Sequence, residues 1–248
     1  MKAMIFAAGL GTRLKPLTDY TSKALVEVGG KALLEIAILK LLHFGFNEIV
    51  VNVHHFAQAV VTFLRQKDFG NVKIYVSDES EMLLDTGGGL KKAAPLLAGK
   101  NPVLIYNVDV ISDIDLDKVI SDHCSDRRLA TLVVRERKSS RNLYFDREMN
   151  LTGWKNELTG EEKISRKDVF VNSRPFAFSG IHVINPQMLD LLGEGIRFSI
   201  IDTYIHLAGV YRIAGYQDTS SVWLDVGKPE QLAEAEQLTA LQKRIPGL

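Results

Sequence analysis

Apolar runs and helix-like stripes alternate along the first half of the chain. Residues 2–8 form an apolar run that carries one charge and stops at Gly9, which predicts a buried strand. Residues 31–44 place Leu33, Leu34, Ile36, Ala37, Ile38, Leu41 and Leu42 at helical spacing. Short apolar, β-branched runs at 48–53, 72–76 and 103–108 predict further strands. Residues 56–66, 90–97 and 116–123 predict the helices between them. This β-α-β-α order implies an α/β fold: a three-layer, Rossmann-like, mostly parallel sheet with helices on both faces.

The second half changes texture. Strands are predicted at 129–134, 143–146, 151–154, 177–184, 211–214 and 222–226, with charge-rich turns between the earlier ones. Asn185 and Pro186 open a helix through Leu192, and helices follow at 199–207 and 229–241, the last with Pro229 in its first turn. The polar stretches 139–150 and 156–171 predict loops or a small, exposed β-rich insertion. No linker or internal repeat interrupts the chain, so one domain over 1–248 is expected.

Composition narrows the function classes. With 46% hydrophobic and 24% charged residues, the chain has the balance of an ordinary globular protein. Thirty Lys and Arg offset thirty Asp and Glu, and a zero net charge argues against a nucleic-acid coat. A local cation cluster for a small anion is invisible in that sum. Cys124 is the single cysteine, so no internal disulfide can form, which suits a reducing, cytoplasmic compartment. No run of about 18 apolar residues exists, so no membrane span is expected, and the N-terminal run is too short for a signal peptide.

The most informative segment follows the first strand: Gly9-Leu10-Gly11-Thr12-Arg13-Leu14-Lys15-Pro16-Leu17-Thr18, then Ser22-Lys23-Ala24-Leu25. Nucleotides dock at the first strand–loop of a parallel sheet, where backbone N–H groups face phosphate. Gly9 and Gly11 let the backbone approach an anion. Lys2, Arg13, Lys15 and Lys23 stand against Asp19 alone between positions 2 and 23, a local excess of three cations. Leu14 occupies the place of the third glycine of a dinucleotide fingerprint, and a P-loop Gly-Lys-Ser/Thr is absent. On spacing alone, a tight glycine turn with solvated cations stays open as an alternative.

At these residues the sequence resembles the sugar-1-phosphate nucleotidyltransferases, or NDP-sugar pyrophosphorylases. The resemblance runs along most of the chain. Thr86-Gly87-Gly88-Gly89 looks like that family's base-binding turn, and Asn107-Val108-Asp109 like its metal-binding strand end. Phe178-Ser179-Gly180-Ile181 looks like its sugar-side strand, and Trp223-Leu224-Asp225-Val226-Gly227 like its second metal segment. Several motifs in order are far more specific than one. The resemblance implies the nucleotide-diphospho-sugar transferase fold, with a nucleotide-binding half at 1–136 and a sugar-binding half at 137–248. It implies a single catalytic domain acting as a monomer or homodimer.

The implied reaction is attack of a sugar-1-phosphate oxygen on the α-phosphorus of an NTP, with loss of pyrophosphate. Arg13, a planar fork, suits the β- and γ-phosphates, and Lys23 suits the α-phosphate or the attacking phosphate. Asp109 and Asp225 are the implied ligands of a Mg²⁺ cofactor. Either aspartate alone reads as a helix cap or turn residue, and the metal role prevails only for the pair within the other motifs. Ala8, Gly9, Gly11, Thr12, Gly87 and Gly88 are the implied nucleotide contacts. Asn107, Gly180 and Asp202 fall on the sugar side, with Lys155, which stands roughly where the family often has Glu-Lys-Pro. A surface lysine on a β-ribbon is the competing reading of Lys155.

Two positions depart from the family pattern: Ser22 replaces a common Pro, and Val108 a common Gly. His54 and His55 are adjacent on a strand and point to opposite faces, so they are no metal pair. Cys124 has no motif His beside it and is not read as a nucleophile. Trp223 is read as core. The preferred substrates are UTP with N-acetylmuramate 1-phosphate or a related hexose phosphate. Alternatives are guanylyl transfer to mannose 1-phosphate, transfer to a heptose phosphate, cytidylyl transfer to phosphocholine, and a non-catalytic nucleotide or sugar-phosphate sensor.

Overall fold

A computed structural model describes residues 1–220, 222–240 and 247. The first half contains β1 (Lys2–Phe6), a short hairpin of β2 (Glu27–Val28) and β3 (Lys31–Ala32), α1 (Leu33–His43), β4 (Glu48–Val53), α2 (Ala57–Gln66), β5 (Lys73–Asp78) and α3 (Asp85–Leu97). It continues with β6 (Val103–Asn107), β7 (Val110–Ser112), α4 (Leu116–Cys124) and β8 (Ala130–Arg135). A ribbon follows: β9 (Arg141–Phe145), β10 (Leu151–Asn156), β11 (Glu162–Ile164) and the single turn α5 (Lys167–Phe170). The chain then runs through β12 (Arg174–Ile184), α6 (Ile200–Leu207), β13 (Ile213–Gln217), β14 (Trp223–Asp225) and α7 (Pro229–Ala240). Residue 241 of the predicted last helix lies outside the described residues.

The central order is β5-β4-β1-β6-β12-β8-β13, and β12 alone runs against the others. Side chains alternate across this sheet, as strand geometry requires. Ala3 and Ile5 of β1 join one core beneath α1, α2, α4 and α7, while Met4 joins the other beneath α3 and α6. The expected three layers are therefore present. Among the described residues no helix is long and apolar enough to cross a membrane.

The polar stretches near 139–171 fold into the ribbon, which is less exposed than expected: Leu143, Phe145 and Leu151 are buried in the second core. Its strands are antiparallel and hang on the start of β12, where Arg174, Pro175 and Phe176 pair with Phe145, Tyr144 and Leu143. Further along, β12 pairs with β8 and β6, and its register with β8 shifts between Phe178 and His182. Gly180 lies in that irregularity at φ +76°, the left-handed region that an L side chain resists.

Prediction and structure differ most at α3. The expected start at 90 ignores glycines 87–89, which are poor helix formers. Helix nevertheless begins at Asp85, because tertiary packing overrides propensity there. A Cβ on Gly87 would lie 2.3 Å from the Phe198 ring, and one on Gly88 would lie 2.2 Å from the Ile196 carbonyl oxygen.

The second core contains a titratable group. His182 is fully buried against Phe6, Phe178 and Tyr204, with Nδ1 hydrogen-bonded to the Tyr204 hydroxyl and Nε2 without a partner. Burial holds its pKa down to about 3, and that of buried His123 down to about 4. The unfolded imidazole, near 6.5, takes up a proton that the native one refuses, so stability falls as pH drops below about 6.5. At pH 5 each histidine is expected to cost about 2 kcal/mol relative to neutral pH. In urea unfolding at pH 7.5 and 5, His182→Gln should remove about that much of the acid sensitivity. An unchanged pH dependence would refute the assignment.

Candidate active site

A cavity of about 680 Å³ opens where β1, β4 and β6 end, between the phosphate loop and the start of α3. This is the crevice at the carboxyl ends of parallel strands, where order reverses on either side of β1. Ala8, Gly9 and Thr12 line it from the loop, and Lys23, Asn107, Val108 and Asp109 line its far wall.

The loop's two glycines have different reasons. At Gly9 a Cβ would meet nothing, so the backbone stays open to the cavity. Gly11 has φ +64°, and a Cβ there would lie 2.8 Å from Thr18 Cγ2 and 3.0 Å from Lys23 Cβ. Thr18 Oγ1 closes this contact by donating to the Gly11 carbonyl at 2.8 Å. Gly11 thus shapes the loop and does not line the cavity. Ser22 has φ −65°, the angle a proline would impose, and its Oγ accepts from the Ala24 N–H at 3.3 Å. The departure at Ser22 therefore preserves the turn that presents Lys23.

Two segments 116 residues apart bring the expected acidic pair together. Asp109 follows β6, Asp225 ends β14, and β14 pairs with β7 through Asp225 and Val110. The Val226 N–H donates to the Asp109 carbonyl at 2.8 Å, so main chain fixes the spacing of the two carboxylates. Lys23 makes an ion pair with Asp109, and Arg13 lies 3.8 Å from Asp225. Burial first, then the Asp109 charge, raises the Asp225 pKa. Asp225 Oδ1 is buried without a hydrogen-bond partner. Among the described residues no third His, Cys, Asp or Glu joins them. Two hard carboxylates, one with an orphaned oxygen, fit a small divalent cation that takes its remaining ligands from phosphate and water.

Asn107 holds its place against Gly180: a Cβ there would come within 2.9 Å of Asn107 Nδ2. Val108 is buried in the cavity wall beside Asp109. Besides Gly11, other expectations change. Gly87 and Gly88 do not line the cavity, because both N–H groups donate to the Phe198 carbonyl, at 2.9 and 3.3 Å. From that turn Asp85, at φ +60°, and Thr86 face the cavity. Lys155 and Asp202 do not join the site: Lys155 is held by Glu162 at 2.7 Å on the ribbon, and Asp202 by Lys163 at 2.7 Å.

Several polar residues escaped the sequence reading. Asn52 and Glu79 are buried in the cavity floor. Asn52 Nδ2 donates to Glu79 Oε1 and the Ala7 N–H donates to Asn52 Oδ1, both at 2.7 Å. The Leu84 N–H donates to Glu79 Oε2 at 3.3 Å, so the pair ties loop, strand and α3 together. Burial raises the Glu79 pKa. A polar Asn inside the apolar run 48–53 was the available signal. Arg141 and Arg197 line the cavity mouth. Lys40, buried in α1, donates to the Ser112 carbonyl and Oγ at 2.6 and 3.0 Å, and burial lowers its pKa to about 7. Trp223, read as core, is half-buried. Its Nε1 donates to the Ser179 carbonyl at 3.0 Å, and Arg137 Cζ lies 4.4 Å over its ring.

Known proteins match the chain over most of its length. The nucleotidyl transferase family model matches residues 2–242. The chain is 32% identical over 240 residues to the N-acetylmuramate alpha-1-phosphate uridylyltransferase of Caulobacter vibrioides, covering 94% of this chain and 95% of that one. It is also 32% identical over 257 residues to the mannose-1-phosphate guanyltransferase of Pichia angusta, covering 100% of this chain and 67% of that one. HddC from Yersinia pseudotuberculosis shares the fold, with a TM-score of 0.76 at 19% identity, covering 96% of this chain and 99% of that one. The chain belongs to the nucleotidyl transferase family, and it is a sugar-1-phosphate nucleotidyltransferase.

Proposed function

We propose that this enzyme transfers a uridylyl group from UTP to N-acetylmuramate 1-phosphate, or to a closely related hexose 1-phosphate, with Mg²⁺ as cofactor. The observation that carries the reading is the paired carboxylates of Asp109 and Asp225, each set against a cation of the phosphate loop. The uridylyltransferase of Caulobacter vibrioides, matched over nearly its whole length, supports the choice of base and sugar.

The protein's part is positioning and charge. A phosphate oxygen of the acceptor forms a bond to the α-phosphorus, the bond from that phosphorus to the bridging oxygen breaks, and pyrophosphate leaves with the electron pair. Asp109 and Asp225 would hold the cation, and Lys23 and Arg13 would then be left to neutralise the phosphates. Bound there, Mg²⁺ supplies charge neutralisation and orientation of phosphate oxygens. Ala8, Gly9 and Thr12 offer main chain to the nucleotide, and the Asn52–Glu79 pair keeps that loop rigid. Asn107, braced by Gly180, faces the acceptor.

Guanylyl transfer to mannose 1-phosphate is the second reading, favoured by the comparable identity of the Pichia angusta enzyme. Pyrophosphate release with UTP, GTP, CTP and dTTP, crossed with N-acetylmuramate 1-phosphate, mannose 1-phosphate and glucose 1-phosphate, separates the two. The expected optimum is UTP with N-acetylmuramate 1-phosphate, abolished by a chelator. Preference for GTP with mannose 1-phosphate would replace it. Saturable nucleotide binding without turnover on any pair would overturn the enzymatic reading.

A further inference from the structure

The proposed reaction needs a cation for the acceptor's own phosphate; Arg141 of the ribbon and Arg197 reach the mouth of the cavity, but neither stands beside the two aspartates in β14 and after β6. Lys155 is tied to Glu162 outside the cavity, while Lys23 and Arg13 answer to the two aspartates and the NTP. The connection between β8 and β9 offers another group. Arg137 makes no ion pair among the described residues, yet it is firmly placed. Its guanidinium stacks on Trp223, and Nη2 donates to the Phe178 carbonyl at 3.0 Å. Trp223 is anchored in turn by its bond to the Ser179 carbonyl. Both carbonyls sit in the irregular stretch of β12 just before Gly180, where the ladder with β8 is broken. The irregularity therefore furnishes two anchor points.

Strand periodicity supplies the direction. Residues 223 and 225 of β14 point to the same face, so a guanidinium stacked on Trp223 lies on the side of Asp225. Asp225 is close enough to oppose the lowering of the Arg137 pKa by partial burial. The fork is held by stacking, by the Phe178 carbonyl and, at 3.5 Å from Nη1, by the Lys138 carbonyl, and its remaining N–H donors are left for a phosphate oxygen.

Resting on the nucleotidyltransferase reading above, we propose that Arg137 is a catalytic residue that binds the phosphate of the sugar 1-phosphate beside Asp225. The place expected for Lys155 is then filled from a different segment.

The test is steady-state kinetics of the Mg²⁺-loaded enzyme with N-acetylmuramate 1-phosphate and, in parallel, mannose 1-phosphate. Arg137→Gln should raise KM for the sugar 1-phosphate about tenfold or more and lower kcat, with KM for the NTP changed less than about twofold. Arg137→Lys keeps charge without the fork and should show the same selective rise, about threefold, which covers the case of a poorly folding Gln variant. Added guanidinium ion should partly rescue Arg137→Ala. An unchanged sugar-phosphate KM, an equal rise in both KM values with a fallen Tm, or a selective rise in Lys155→Gln but not Arg137→Gln would overturn the assignment. A wild type inactive on every pair would overturn the functional reading and this one with it. An active wild type with an indifferent Arg137 would overturn this one alone.

Discussion

Replacing Asp225 with Asn is expected to reduce Mg²⁺-dependent turnover about 10³-fold while the fold survives. On the proposed reading the carboxylate contributes a ligand oxygen and charge, and the amide keeps its shape. Fold survival follows from the local structure. Asp225 sits beside Asp109, and burial and that neighbour both raise its pKa, so its charged form costs native stability without a cation. Removing the charge should leave the Tm of the metal-free protein equal or higher. Added Mg²⁺ should raise the wild-type Tm and raise the variant's less. Near-normal turnover in Asp225→Asn, or an equal Mg²⁺ shift in both proteins, would remove Asp225 from the metal site.

Lys23→Ala is the second large effect, and it differs in kind. Lys23 is buried and pairs with Asp109, so truncation strands a partly buried carboxylate next to another one. Turnover should fall about 10³-fold, from loss of charge at the reacting phosphates. Stability without metal should fall by about 3 kcal/mol, as when one member of a buried pair is removed. Mg²⁺ on the aspartates would replace the missing positive charge, so the stability loss should shrink in millimolar Mg²⁺. Urea unfolding with and without Mg²⁺ measures this, and a loss independent of Mg²⁺ would mean that Asp109 holds no cation.

The alternation of buried runs and helical stripes made the sheet and its layers legible, down to the bounds of β4. The motif order also brought Lys23, Asn107, Asp109 and the loop residues 8, 9 and 12 to one cavity. Residues whose role depends on distant partners were harder to read. Glycines 87 and 88 look like a helix-free turn until Phe198 and Ile196 close over them, and Gly89 until Glu79 and Asn52 do. Lys155 matches a motif position, but Glu162, its neighbour across a strand pair, claims it. Arg137 lies in Arg135-Glu136-Arg137-Lys138, a charge run indistinguishable from a solvated turn until Trp223 is placed beneath it. Glu79 needs Asn52, 27 residues earlier, to explain a carboxyl in the floor of a cleft.

β12 belongs to two sheets at once. Its first three residues carry the ribbon, its last four brace the strand that ends at Asn107, and the irregularity at Gly180 separates the two. The ribbon's turns, 146–150 and 157–161, can therefore lengthen without moving the aspartates, which are locked to each other by the Val226–Asp109 main-chain bond, whereas Leu143, Phe145 and Leu151 tie its strands to the second core.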